Sequence, residues 1–221
     1  QLLRNSELFQ YWQRGEYHPY TEMELIDLLA EIKPTVPRFC RINRVIRDIP
    51  SNHVVEGNRN TSLRQNVALE MVKRGMACQC IRCREIRKGK IDDRELILDG
   101  FVYRAGWAEE HFLSYNTQDD HILGFLRLSL PDKEHFFPAD ELRDSAIIRE
   151  VHVYGQSIEV GGEGSGSVQH RGLGSNLIEK AAEIAREKGY KNIAVISAVG
   201  TREYYAARGF AMGELYMVRS L

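Results

Sequence analysis

The chain has 221 residues, 43% of them hydrophobic, enough for a buried core and for one large domain or one domain with part of another. No apolar run approaches the roughly 18 residues of a membrane span, and no basic-then-apolar leader opens the chain, so a soluble cytoplasmic protein with no membrane partner is expected. Net charge is −1, yet residues 1–90 hold 16 Lys+Arg against 10 Asp+Glu, leaving 14 against 21 for residues 91–221. A basic part beside an acidic one points to an anionic partner for the first, although such asymmetry also decorates solvated faces. Gln1 rather than Met opens the chain, which reads as a processed chain or a fragment.

The N-terminal third reads as helical. Thr21 with Glu24 forms a capping box, and Leu25, Leu28, Leu29 and Ile32 repeat at helical spacing until Pro34. Ser62 with Gln65 repeats the device, opening a helix through Val67, Leu69 and Met71 to a C-terminal cap at Gly75. Between them Arg38, Arg41, Arg44 and Arg47 recur every three residues, a spacing that fits neither a strand face nor a long helix face, so they fan out.

From about residue 94 the texture changes to strands. "ELILDGFVYRAG", "EEHFLSY" and "HILGFLRLSL" are β-rich, "NTQDD" is a hairpin loop, and "SAIIREVHVYG" is a further strand. The Gly/Ser-rich "GQSIEVGGEGSGS" then reads as a flexible loop. A helix follows from Gly172, with Leu173, Leu177, Ala181 and Ile184 on one face and Gly189 past its end. The chain closes with the strand "NIAVIS", a short helix around "TREYYAARG" and one last strand through "FAMGELYMVRS". This order is α+β with a mixed sheet, and the break falls near residues 75–95.

The turn "QHRGLG" runs straight into a helix. Free N–H groups and a partial positive charge make such a start an anion site, glycines at 172 and 174 admit the ligand closely, and Arg171 adds a full charge. No Walker turn is present, and Ser175 and Asn176 stand where a dinucleotide fingerprint needs x-x-Gly. A turn needed only for tight packing would look the same.

The surroundings narrow this. "QHRGLG" after "EVHVYG", with "YYAARGF" downstream, resembles the GCN5-related N-acetyltransferase (GNAT) superfamily: Gln169, Gly172 and Gly174 match its acyl-CoA signature, and Tyr205, Gly209 and Phe210 its later Tyr-x-x-x-Gly-Phe. The resemblance implies an acetyl-CoA site. Glu150, Val151, His152 and Val153 would pair with the pantetheine arm, and Gln169, His170, Arg171, Gly172, Leu173, Gly174 and Ser175 would hold the pyrophosphate. Tyr205 would protonate the departing thiolate, with Tyr204 lining the pocket. Glu150 and His152 share a strand face, and either serves equally as a general base or as a hydrogen-bonded buried group.

"RVIRDIPSNHVVEGN", "CQCIRCREI", "EEHFLSY", "REVHVYG" and "AVISAVGTREYYAARGF" further resemble the family of Elongator catalytic subunits, which modify the wobble uridine of tRNA. The resemblance implies residues 1–75 as the end of a radical-SAM domain, 76–93 as a cysteine-rich linker and 94–221 as the acetyltransferase domain. The C-x-x-x-C-x-x-C cluster motif is absent from this chain, so SAM and a [4Fe-4S] cluster are not expected in it. Cys78, Cys80 and Cys83 form a compact C-x-C-x-x-C suited to a structural zinc, with Cys40, His53 and His111 as candidates for the fourth ligand.

In that family's proposed mechanism a SAM-derived radical activates the acetyl methyl group, carbon adds to C5 of the uridine, and thioester hydrolysis leaves a carboxymethyl group. tRNA is the implied partner, with a homodimer or Elongator-type subunits in the full-length protein. Arg38, Arg41, Arg44, Arg47, Arg82, Arg84 and Arg87 are candidates for phosphate contacts. The competing functions are a protein lysine acetyltransferase and a non-catalytic tRNA-binding module.

Overall fold

The computed structural model describes residues 1–47, 49–86, 96–134, 139–154 and 172–221. Two units divide at residue 84: Gln1–Arg84 and Glu85–Leu221.

The first unit opens with a two-residue strand, β1 (Leu2–Leu3), and a short helix, α1 (Leu8–Gln13), that periodicity did not reveal. Helix α2 (Glu22–Ile32) starts at the expected box: the Thr21 side chain accepts the Glu24 N–H at 3.3 Å, and the Glu24 carboxylate accepts the Thr21 N–H at 2.7 Å. Pro34 ends it in a 3-10 turn over Lys33–Thr35. Strand β2 (Val54–Glu56) pairs antiparallel with β1, and helix α3 (Leu63–Lys73) follows.

The second capping box does not form. Ser62 has ψ 14° rather than an extended backbone, its side chain makes no cap bond, and its own N–H goes to Asn60 Oδ1 at 2.8 Å. Gly75 does close α3, at φ +67°, with Met76 N–H on Met71 C=O and Gly75 N–H on Val72 C=O. The two helices pack through Leu25, Ile26, Leu29 and Ala30 against Leu63, Val67 and Met71. Leu28, Ile32 and Leu69, expected on these faces, are exposed, so α2 is turned toward Ile26 and Ala30. The unit ends in α4 (Ile81–Arg84).

The second unit is a seven-stranded mixed sheet in the order β3-β4-β5-β6-β7-β9-β8. Strands β3 (Ile97–Ala105), β4 (Ala108–Asn116), β5 (Ile122–Pro131) and β6 (Ser145–Val153) form an antiparallel meander. Helix α5 (Leu173–Glu187) crosses to β7 (Asn192–Val195), parallel to β6, and α6 (Arg202–Ala206) precedes β8 (Ala211–Met212) and β9 (Met217–Ser220). Leu177, Ile178, Ala181, Ala182 and Ala185 of α5 bury against Leu113, Leu126, Leu128, Ala146 and Ile148 of the sheet. At about 25 cal/mol per Å2 of apolar surface, this face is what fixes α5. Gly189 at φ +79° closes the helix as expected.

The single last strand expected through residues 210–220 is a hairpin of two, β8 and β9. The carboxylate of Glu141 breaks the run by accepting the backbone N–H groups of Glu214, Leu215 and Tyr216 at 2.6, 2.8 and 2.7 Å. No described helix is long and apolar enough to cross a membrane.

Candidate functional site

Strand β6 pairs with two neighbours along only part of its length. Its residues 145–148 lie beside β7, which ends at Val195, whereas its pairing with β5 continues to Val153. Arg127 pairs with Glu150 and Leu128 with Ile148, so Arg149 is one residue too many, a bulge. The bulge changes the side-chain parity: Ile148 and Val151 both face α5, leaving Glu150 and His152 on the opposite face together, as their spacing predicts. Tyr154 N–H bonds to Leu123 C=O, which assigns the amides of even-numbered residues to β5. Those of Val151 and Val153 consequently point past the end of β7, where no strand among the described residues pairs with them, an edge that an extended ligand could take.

Helix α5 begins beside this edge. Its N-cap, Gly172, has φ +108°, a conformation that L side chains rarely adopt. Gly174 is buried, and an added Cβ there would stand 2.5 Å from Tyr204 Oη and 3.6 Å from Val153 Cγ2. The end of β6, the start of α5 and α6 therefore converge on Gly174. Leu173 is buried beneath it. Ser175 Oγ accepts from Arg208 Nε and Nη2 at 2.9 and 2.6 Å, and the Arg208 guanidinium lies 3.4 Å over the Tyr204 ring. Arg208 escaped the sequence reading; its signal was its place four residues after Tyr204, in the turn that follows α6. Gln169, His170, Arg171 and the Gly/Ser segment 161–167 lie outside the described residues.

The two adjacent tyrosines have different settings. Tyr204 is 37% exposed and Tyr205 8%. The Tyr205 ring packs edge-on against Tyr204 and Phe210, at 5.2 and 5.6 Å, within the main core. Its hydroxyl has no hydrogen-bond partner among the described residues, yet is not a fully enclosed polar atom. Burial, and then the neighbouring Tyr204, push the Tyr205 phenol above its ordinary pKa, so it keeps its proton at neutral pH.

On the other face of β6, Glu150 accepts from Arg127 Nε at 2.9 Å, and His152 stacks on Phe125 at 5.6 Å with Tyr154 at 4.5 Å. Glu110, which the sequence reading did not single out, is buried with Arg149 Nη1 3.2 Å from its Oε2.

In the first unit the sulfur atoms of Cys78, Cys80 and Cys83 lie within 4.8 Å of one another, a group that could hold a metal ion. Cys80 is held toward the thiolate by hydrogen bonds from the Cys78 and Cys83 thiols, supplemented by the backbone N–H groups of Ile42 and Cys83. Cys78 is correspondingly pushed up as the partner that keeps its proton. N–H groups aimed at clustered sulfurs fit a thiolate metal site, and Lys33, 3% exposed, places Nζ 3.6 Å from Cys83 Sγ. None of Cys40, His53 or His111 joins this group among the described residues. His111 lies in the second unit, bonded through Nε2 to Glu109 at 2.8 Å.

The arginines divide. Arg44 and Arg47 are exposed, while Arg38, Arg41 and Arg82 are half-buried and hold interactions within the chain. Arg84 is buried, its guanidinium donating to the carbonyls of Gln79 and Arg38 at 2.9 and 3.0 Å, which makes it a brace for the cysteine turn. Arg87 lies outside the described residues.

Comparison with known proteins places these features. Residues 82–210, more than half of the chain, match the acetyltransferase (GNAT) family model, and residues 1–73 match the radical-SAM C-terminal domain. A tRNA uridine(34) acetyltransferase of Dehalococcoides mccartyi is 38% identical over 226 residues, covering all of this chain and 49% of that protein. Elongator complex protein 3 of Homo sapiens is 38% identical over 229 residues, covering all of this chain and 41% of that protein. The archaeal Methanocaldococcus infernus Elp3 with an N-terminal deletion superposes with TM-score 0.87 at 35% identity, over 99% of this chain and 53% of that one. The chain thus spans about half the length of the curated relatives it matches. With its β6 edge, glycine turn and tyrosine helix, the chain belongs to the acetyltransferase (GNAT) family, and its homologues there are tRNA uridine(34) acetyltransferases and Elongator complex protein 3.

Proposed function

We propose that this chain is the acetyl-CoA-binding part of an Elongator-type enzyme that builds a carboxymethyl group on C5 of the tRNA wobble uridine. The observation that carries the reading is the convergence on Gly174 of the β6 end, the α5 start and Tyr204. A side chain at that point would meet the Tyr204 hydroxyl. In this reading the amides of Val151 and Val153 pair with the pantetheine arm, and Gly172, Leu173, Gly174 and Ser175 hold the pyrophosphate with Gln169, His170 and Arg171. When bound, acetyl-CoA supplies the acetyl carbon.

Tyr205 is the proton donor to the departing thiolate. Its buried ring, reachable hydroxyl and raised pKa support that role. Glu150, tied to Arg127, and His152, stacked on Phe125, are read as positioning residues rather than as the base that the lysine-acetylation alternative needs. Cys78, Cys80 and Cys83 hold a structural zinc, and exposed Arg44 and Arg47 contact tRNA phosphates. The domain organisation that goes with this is 1–75, 76–93 and 94–221, in a cytoplasmic protein.

Acetyl-CoA hydrolysis measured with and without tRNA tests the reading. Stimulation by tRNA is expected, with Tyr205→Phe lowering the stimulated rate about a hundredfold. Acetylation of a lysine peptide with no response to tRNA overturns the proposal, and an unchanged rate in Tyr205→Phe removes that residue from the chemistry.

A further inference from the structure

The β1–β2 ribbon brings together three polar side chains for which the acetyl-CoA site has no use. Leu3 pairs with Val54, so the chain leaving β1 and the chain entering β2 emerge at the same end of the ribbon. Arg4 and Asn5 follow β1, and His53 precedes β2. There they line a groove of about 460 Å3 together with Leu3 and Ile49. That volume lies in the range of about 300–1,000 Å3 typical of small-ligand sites.

Arg4 is held from behind by aromatic rings. The Arg4 guanidinium sits 5.9 Å over the Phe9 ring, Phe9 stacks on Trp12 at 5.5 Å, and the Trp12 indole N–H donates to Glu56 of β2. An aromatic platform anchored to the ribbon therefore carries the guanidinium. Arg4, Asn5 and His53 are exposed, and their side chains make no hydrogen bond or ion pair with the described residues. A guanidinium with five donors, a carboxamide and an imidazole thus share the lining with half-buried Leu3 and Ile49.

We infer that this groove binds one unpaired nucleotide of RNA. The guanidinium suits a phosphate or the face of a base, the Asn5 amide matches the paired donor and acceptor of a base edge, and the imidazole stacks. Unpaired RNA fits better than a duplex, because a carboxamide reaches the Watson–Crick edge only when the base is unstacked. The charge of this unit agrees: residues 1–84 carry 13 Lys+Arg against 9 Asp+Glu, and exposed Arg44 and Arg47 belong to it. The inference rests on the tRNA reading above and adds to it a site for a base rather than for backbone phosphate alone.

Fluorescence anisotropy with a labelled RNA hairpin bearing an unpaired loop, beside a fully paired RNA duplex, tests it on the whole chain. The Arg4→Ala/Asn5→Ala/His53→Ala variant is expected to bind the hairpin about tenfold more weakly, to bind the duplex within about threefold of the parent, and to keep its acetyl-CoA affinity. Hairpin affinity within about twofold of the parent overturns the site and leaves the tRNA reading standing. Equal losses for hairpin and duplex reduce the groove to a charge patch and overturn base recognition. A parent chain that binds neither RNA overturns this inference together with the tRNA reading.

Discussion

At Gly174 an added methyl group would stand 2.5 Å from the Tyr204 hydroxyl, and the ring behind that hydroxyl is held by Arg208. Tyr204 would have to swing away, carrying Arg208 off Ser175 and disturbing the first turn of α5. Gly174→Ala is therefore expected to weaken acetyl-CoA binding about tenfold, measured by calorimetric titration, with little change in melting temperature. Adding Tyr204→Ala should restore part of the loss; no restoration would mean that the crowding argument is wrong. Gly213 makes the opposite case, because its constraint is structural. A Cβ there would overlap the Glu141 carboxylate, which holds the β8–β9 turn through three N–H groups. Burial pulls the Glu141 pKa upward, but the N–H donors of Leu215, Tyr216 and Glu214 outweigh it and leave the net shift downward. A depressed folded-state pKa gives stability that is present above the unfolded value of about 4.3 and is lost as pH falls through the folded value. Glu141→Gln should thus lower stability by about 1–3 kcal/mol at neutral pH, and the difference from the parent should shrink as acid protonates Glu141 in the parent. A gap that stays constant down to that range would contradict the assignment.

At the scale of elements, the cysteine turn is the best test of whether clustered thiols mean a metal. If Cys78, Cys80 and Cys83 are zinc thiolates, the purified chain should carry about one zinc by elemental analysis, and Cys80→Ala should lose it. A metal-free parent that melts at the same temperature with and without added zinc would dismiss the site. This turn was legible because C-x-C-x-x-C brings three thiols together by local geometry alone. The same holds for α2, whose capping box is a four-residue event, and for α5, whose apolar face declares its partner. Illegible features depended on distant residues. The β8–β9 break comes from Glu141, some seventy residues earlier in the chain, and the Ser62 box failed because Asn60 captured the Ser62 N–H. The Arg149 bulge depends on register with β5, which no local pattern encodes. Arg84 looked like an RNA contact because sequence shows a charge and not the two carbonyls that hold it. For the candidate site, motif residues located the glycine turn, whereas the crowding of Gly174 by Tyr204 needed the fold.

At the scale of the whole molecule, the chain's two tryptophans fall one in each unit: Trp12 beside β2 and Trp107 at the β3–β4 turn. They offer separate reports on the two units within the intact chain. The cysteine group belongs to the first unit, where Ile81 N–H bonds to Cys40 C=O and Cys78 packs against the α2–α3 core. A metal there would tie residues 78–83 together and stabilise the first unit by mass action. The residues proposed to hold acetyl-CoA belong to the second unit and should stabilise that unit when ligand is present. Chelation is accordingly expected to lower the midpoint read by Trp12 in Trp107→Phe by more than 5 °C or so, about 1–3 kcal/mol at this size. Acetyl-CoA at a hundred times its dissociation constant should raise the midpoint read by Trp107 in Trp12→Phe by a similar amount, since that excess is worth about 2.7 kcal/mol. If acetyl-CoA instead moves only the Trp12 signal, its site lies outside the glycine turn of α5. If chelator moves neither signal, the thiols hold no structural metal.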